Sequence, residues 1–329
     1  MSGLRRAQLA GIDLVWRSWP DSDPLSAILD CLGPPAAERA TDATLRINLR
    51  PSDGPPAPLP DASHRPLFFH GRTRVFAAND RILLWDGASL LSLSEDGSEL
   101  NGEVHPNSLD DGHTFSSATL LIALAVALRL RGRFHLHAGL VSLDGLGTLL
   151  VAGDAAHGKT TTTLSLLRRG GLLAGDDTLY IDPAARCIWG LPKPLNLSPR
   201  TAHTFAELTA RHPNPVAAES GKSSYPAALL FPGALRPSLG YPDWLLFPRI
   251  TGEPATRLEA LAPTEALGNL MTASALVAVD GLSGAEEHLA ALLSLVSHGR
   301  SYELLLGLDA LERPECIIDL LTAEANRPR

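Results

Sequence analysis

Apolar and polar positions alternate clearly only in parts of the chain. Over residues 1–66 the pattern is interrupted by Pro20, Pro24, Pro34, Pro35, Pro51, Pro55, Pro56, Pro58 and Pro60. Each proline fixes its own φ and removes a backbone donor. Within this stretch residues 26–32 read as a short helix, residues 44–49 as a strand, and residues 51–66 as a loop. Three short apolar runs follow, at 74–77, 81–85 and 89–93. They are separated by Asn79-Asp80 and Asp86-Gly87, and Asp96-Gly97 closes the last. Such pairs favour tight hairpin turns, so the pattern predicts a small antiparallel sheet ending near residue 104. Residues 115–131 predict a helix, opened by Ser116 or Ser117 and closed by Gly132.

Residues 134–142 and 148–152 predict two strands joined by Asp144-Gly145. The second runs into a glycine-bounded loop at 153–158, and a helix follows over 159–169, stopped by Gly170-Gly171. A buried strand at 172–174 leads into Gly175-Asp176-Asp177, and another strand follows at 179–181. Residues 201–226 read as a polar, mobile loop with one helix at 202–211. Strands at 244–247 and 302–306 and helices at 286–297 and 314–323 complete the pattern. There is no internal repeat. The alternation predicts an α/β fold in two parts: a proline-rich and β-rich region over 1–114, and a second domain over 115–329.

Composition narrows the function. Of 329 residues, 45% are hydrophobic and 19% charged, a profile for a folded chain with a real core. A net charge of -8 argues against nucleic acid as the main partner. Cys31, Cys187 and Cys316 are far apart, with no zinc-type or disulfide-type spacing. No signal peptide is read after Arg5 and Arg6, and the longest apolar run, about 118–128, is too short to cross a bilayer. The cytoplasm is the expected compartment, with no membrane partner. Lysine is scarce: Lys159, Lys193 and Lys222 are the only three among 28 basic residues. A chain that uses arginine elsewhere retains lysine where a compact ammonium matters, since the two cations differ in geometry.

The strongest motif is Gly153-Asp154-Ala155-Ala156-His157-Gly158-Lys159-Thr160, which fits Gly-x-x-x-x-Gly-Lys-Ser/Thr. In such a loop, backbone N–H groups cradle phosphate oxygens and the lysine reaches the β/γ-phosphates. The hydroxyl binds Mg²⁺, and the following helix directs its positive end at the anion. Thr161 extends this nucleotide-binding set. Asp176 and Asp177 are expected beside it, because ligands of open α/β sheets gather at strand carboxyl ends. One aspartate would hold the metal and the other would accept a proton. His135 and His137 alternate along one expected strand and should share a face. Lys193, Asn196, Lys222 and Arg249 are further phosphate-side or substrate-side candidates.

Residues 137–141, 149–160 and 168–177 together resemble the catalytic core of the HPr kinase/phosphorylase family. The likeness is closest to its divergent relatives in bacterial gene clusters, some of which modify peptides. It is strong over about 134–182 and weaker through 190–196, 246–249 and the C-terminal helices. The N-terminal third carries none of it. The resemblance implies a phosphate-loop core related to phosphoenolpyruvate carboxykinase, with ATP and Mg²⁺ as cofactors. It further implies that Lys159 and Thr160 bind triphosphate and metal, that Asp177 is the base and Asp176 the metal partner, and that His137 stands beside them. The family often forms oligomers, so a homo-oligomer is part of the expectation. Where the family has Ser-Gly-x-Gly, this chain has Ala155-Ala156-His157-Gly158, and the family's second signature is not found over 191–226. The expected activity is transfer of the γ-phosphoryl group to a hydroxyl of a peptide, protein or small molecule. The alternatives are a nucleotide-binding sensor or scaffold, and a nucleotide hydrolase.

Overall fold

A computed structural model of the chain describes residues 4–17, 44–61, 63–109, 115–154, 156–191, 193–212, 214–217, 221–274 and 276–327. The helix expected over 26–32 and Cys31 lie outside the described residues. The fold is mixed α/β, with several sheets and helices. It forms two compact units: Met1–His135 with Leu276–His288, and Leu136–Ala275 with Leu289–Arg329. Among the described residues no helix is long and apolar enough to cross a membrane.

The first unit holds an eight-stranded sheet. Its strands are β1 (Leu4–Leu9), β2 (Ile12–Arg17), β3 (Thr44–Pro51), β4 (Arg65–His70), β5 (Thr73–Ala78), β6 (Arg81–Trp85), β7 (Leu90–Ser94) and β8 (Glu99–Val104), in the order β1-β2-β3-β8-β7-β6-β5-β4. The small antiparallel sheet expected from 74 to 104 is therefore only part of a larger one. β3 pairs in parallel with both β2 and β8, which the hairpin signals could not reveal. β1 and β2 are not among the expected strands; Leu9, Ile12, Leu14 and Trp16 form their buried face. The expected helix exists in two parts, a π-helical stretch Phe115–Leu120 and α1 (Leu121–Leu130). Arg129 of α1 is 1% exposed. Its guanidinium donates to the carbonyls of Leu276, Leu282 and Ser283, satisfying a buried cation with backbone oxygens and fastening residues 276–288 to this unit.

The second unit is built on a six-stranded sheet. After β9 (Phe134–Leu136), the chain contributes β10 (Ala138–Leu143), β11 (Gly147–Ala152), helix α2 (Lys159–Arg168) and β12 (Leu172–Gly175). The strand expected over 134–142 is thus broken at His137, whose N–H donates instead to the Ala273 carbonyl. His135 and His137 do not sit on one continuous strand. Further along come β13 (Leu179–Asp182), β14 (Cys187–Gly190), β15 (Leu195–Leu197), β16 (Val216–Ala217), β17 (Ser223–Tyr225), β18 (Ser238–Gly240), β19 (Trp244–Ile250), β20 (Arg257–Ala260) and β21 (Arg300–Leu306). The sheet order is β12-β10-β11-β19-β21-β20. β11, β19 and β21 are parallel, while β10 runs antiparallel to both β11 and β12. The carboxyl ends of β11, β12, β19 and β21 therefore share one edge with the start of β10.

The central strands carry long apolar runs because both faces are covered. Leu149, Val151, Leu164, Leu166, Trp244, Leu246, Leu304 and Ile317 belong to one buried cluster under α2. The stretch expected to be a polar loop with one helix over 201–226 contains, among its described residues, most of two short helices, Pro199–Thr204 and Ala206–Thr209, and the strands β16 and β17, which pair with each other, β17 also pairing with β15.

One close approach fixes where β12 ends. A Cβ on Gly190 of β14 would lie 1.9 Å from the Ala174 carbonyl oxygen. Only glycine lets these two backbones meet, and β12 leads directly into Asp176. Gly190→Ala is expected to cost roughly 2–4 kcal/mol in urea unfolding. Wild-type stability in that variant would contradict the packing.

Candidate functional site

The loop after β11 closes on its own lysine. Gly158, in a left-handed conformation (φ 104°), forms the N-cap of α2, so the helix starts at Lys159. Lys159 is 9% exposed. Its Nζ donates to the carbonyls of Gly153 (2.6 Å) and Asp154 (3.1 Å), folding the side chain back across the loop. Burial lowers the Lys159 pKa, opposed by the charges of Asp177, Asp176 and Asp154, while the charge of Lys222 lowers it further. Ala156 adopts φ 66°. That is the position where the resembled family has glycine, so an alanine here holds backbone strain of about 1 kcal/mol. His157 is partly exposed and Ala155 lies outside the described residues.

Thr160 and Asp176 meet at the start of α2. Thr160 Oγ1 donates to Asp176 Oδ2 at 3.1 Å. Thr163, one turn on and missed in the sequence, faces the same way at spacing i, i+3. Asp176 Oδ1 and Thr163 Oγ1 are buried and make no hydrogen bond of normal geometry, although Thr163 lies close enough to favour the Asp176 charge. Both border Gly139 of β10, where a Cβ would sit 2.7 Å from Thr163 Oγ1 and 3.4 Å from Asp176 Oδ1. Burial, reinforced by the neighbouring Asp177 charge, pushes the Asp176 carboxyl up to about 6.

Asp177 has a different environment. Its Oδ2 accepts from Lys193 Nζ at 2.8 Å and from Thr178 Oγ1 at 3.1 Å. Its Oδ1 is 3.2 Å from His137 Nδ1. Burial works against the charged form, but Lys193 and His137 outweigh it and hold the carboxyl at about 2. His137 Nδ1 also lies 2.9 Å from the Asp177 carbonyl oxygen. A carbonyl only accepts, so Nδ1 carries the hydrogen and Nε2 keeps its lone pair. Burial lowers the His137 pKa, partly offset by Asp177. Two adjacent carboxylates thus differ by environment alone: Asp176 is hard to charge, and Asp177 is held charged.

The other candidates divide. Asn196 of β15 pairs with Ser224 of β17 and is exposed. Lys222 directly precedes β17. Arg249, at the end of β19, has its guanidinium on Glu303 of β21 at 2.6 Å. Pro248 and Ile250, its neighbours, border Gly153 and Gly158. The edge of the sheet that reaches the loop is therefore apolar and backbone on this side, and the Arg249 charge is directed at Glu303. Thr161 lies on α2 with its carbonyl accepting from Ser165.

Among solved structures, the chain is similar to the Hpr(Ser) kinase/phosphatase from Coxiella burnetii. The identity is 13%, the alignment covers 58% of this chain and 88% of that one, and the TM-score is 0.29. No family model and no curated protein matches the chain. A likeness of that size carries no weight for the site, whose chemistry follows from the distances above.

A magnesium ion that accompanies a nucleotide needs one or two protein oxygens, the remainder coming from phosphate and water. Among the described residues no group of three or more His, Cys, Asp or Glu is arranged to hold a metal. Asp176 and Thr160 fit the smaller requirement, since Asp176 keeps a buried oxygen, Oδ1, with no donor at normal hydrogen-bond geometry.

The raised Asp176 pKa has a consequence for stability. Both folded and unfolded chains bind the proton below about pH 3.8. As pH rises from there to about 6, only the unfolded chain releases it freely, so the folded state loses stability. Asp176→Asn removes this penalty. In the absence of nucleotide and metal, the variant should be more stable than wild type at pH 8 by on the order of 1–3 kcal/mol, with a smaller gain at pH 4.5. Equal effects at the two pH values in thermal melts would contradict the assignment.

Proposed function

We propose that this chain is an ATP- and Mg²⁺-dependent phosphotransferase that moves the γ-phosphoryl group to a hydroxyl of a peptide, protein or small molecule. The observation that carries the reading is the convergence of the loop lysine, the loop threonine and two differently tuned aspartates at one sheet edge, tied by the Thr160–Asp176 hydrogen bond. The resemblance of residues 134–182 to the HPr kinase/phosphorylase core agrees with it.

In this reading the N–H groups of residues 153–160 and the ammonium of Lys159 hold the β- and γ-phosphates. Lys159 exchanges two carbonyl oxygens for phosphate oxygens, which are stronger acceptors. Asp176 and Thr160 would hold Mg²⁺, which supplies charge neutralisation between the two phosphates. Asp177 receives the hydrogen of the attacking hydroxyl. Its low pKa suits orientation more than early deprotonation, and phosphoryl transfer through a loose transition state makes little demand for a strong base. His137 fixes the Asp177 carboxylate through Nδ1 and supports its backbone carbonyl.

With labelled ATP and a panel of hydroxyl acceptors, the purified chain should transfer label. Lys159→Ala should lower kcat/KM by about a thousandfold and Asp177→Asn by about a hundredfold or more. Undiminished transfer by either variant would refute the role given to that residue. Steady phosphate release without any acceptor would point to a hydrolase.

A further inference from the structure

The proposed function leaves two of the three lysines without a task. Lys193 and Lys159 share Asp177 as a charged neighbour, and the charge of Lys222 reaches Lys159. Lys193 Nζ is 2.8 Å from Asp177 Oδ2 and 3.3 Å from Thr178 Oγ1. Lys193 leads into β15, which packs beside α2, and Leu195 and Leu197 belong to the same buried cluster as Leu164. β17 pairs antiparallel with β15, placing Leu197 opposite Ser223 and Asn196 opposite Ser224. Lys222 is therefore carried on the hairpin that flanks the loop helix. It shares the polar face of Ser224 and Asn196, opposite the buried side chains of Leu195, Leu197 and Tyr225. Lys222 is partly buried and makes no hydrogen bond or ion pair among the described residues. Its charge acts on Lys159.

Bringing ammonium groups together without an anion between them is unfavourable. With 25 of the 28 basic residues being arginine and scattered along the chain, the gathering of all three lysines here is not a matter of composition. Asp177 pairs with Lys193, and Asp176 and Asp154 act on Lys159, which leaves Lys222 as the lysine with no ion pair among the described residues. Resting on the phosphotransferase reading, we propose that Lys193 and Lys222 join Lys159 in one anion subsite that takes the terminal phosphoryl group of the nucleoside triphosphate. Lys193 would leave Asp177 for that group when the nucleotide enters, which frees the carboxylate for the hydroxyl. A diphosphate ends short of the subsite, so the two added lysines act on the triphosphate alone.

The test is calorimetric binding of MgATP and MgADP to the full-length wild type, Lys193→Gln and Lys222→Gln. Arg257→Gln serves as a control, since Arg257 is an exposed cation paired with Glu253 and Glu259. Thermal melts first establish that each variant is folded. Each lysine variant should lose about tenfold in affinity for MgATP, the size of one charge-assisted hydrogen bond, and stay within about twofold for MgADP. The control should match wild type for both. Unchanged MgATP binding, or equal losses for the two nucleotides, would overturn the subsite while leaving the phosphotransferase reading intact. Failure of the wild type to bind either nucleotide would overturn that reading and the subsite with it.

Discussion

A single hydrogen bond, 3.1 Å from Thr160 Oγ1 to Asp176 Oδ2, joins two elements that are not neighbours in the sheet. β11, which delivers the loop, and β12, which delivers the aspartates, are separated by β10. The bond crosses over Gly139 of β10, where a side chain would displace Thr163 and crowd Asp176. This crossing holds the carboxylates beside the start of α2, and the rest of the site is arranged around it. Gly190 sets the end of β12, and His137 and Lys193 grip Asp177. Lys159 donates to the Gly153 and Asp154 carbonyls of the loop.

Electrostatic asymmetry follows from this geometry. Adjacent carboxylates of identical chemistry end with pKa values near 6 and near 2, because one is buried beside its neighbour's charge and the other is held by the Lys193 ammonium and the His137 N–H. Such a pair can divide metal holding and hydroxyl binding without further residues. The cost is borne by the folded state as strain at Ala156 and as a buried Asp176 oxygen with no donor at normal hydrogen-bond geometry. Local rules broken at one place in an otherwise consistent fold are a mark of function more than of stability.

The strand–loop–helix unit at 148–169 and the aspartate pair were legible in the sequence, because glycine spacing and apolar runs are local signals. The antiparallel β10 between β11 and β12 was not, since strand order depends on long-range pairing. His137 was placed on a strand with His135, whereas its N–H turns to Ala273 and breaks that strand. β16 and β17 fall where the pattern predicts a loop, because strands two or three residues long carry no periodicity that a window can register. Arg249 was counted with the phosphate side, but Glu303, distant in sequence, directs its charge along β21.

The most direct test of the central claim is a crystal structure with magnesium and a non-hydrolysable ATP analogue. The expected result has Lys159 Nζ released from the Gly153 and Asp154 carbonyls onto phosphate oxygens. The Thr160–Asp176 hydrogen bond should be replaced by shared coordination of the metal. A nucleotide bound elsewhere, with Lys159 still on those carbonyls, would contradict it.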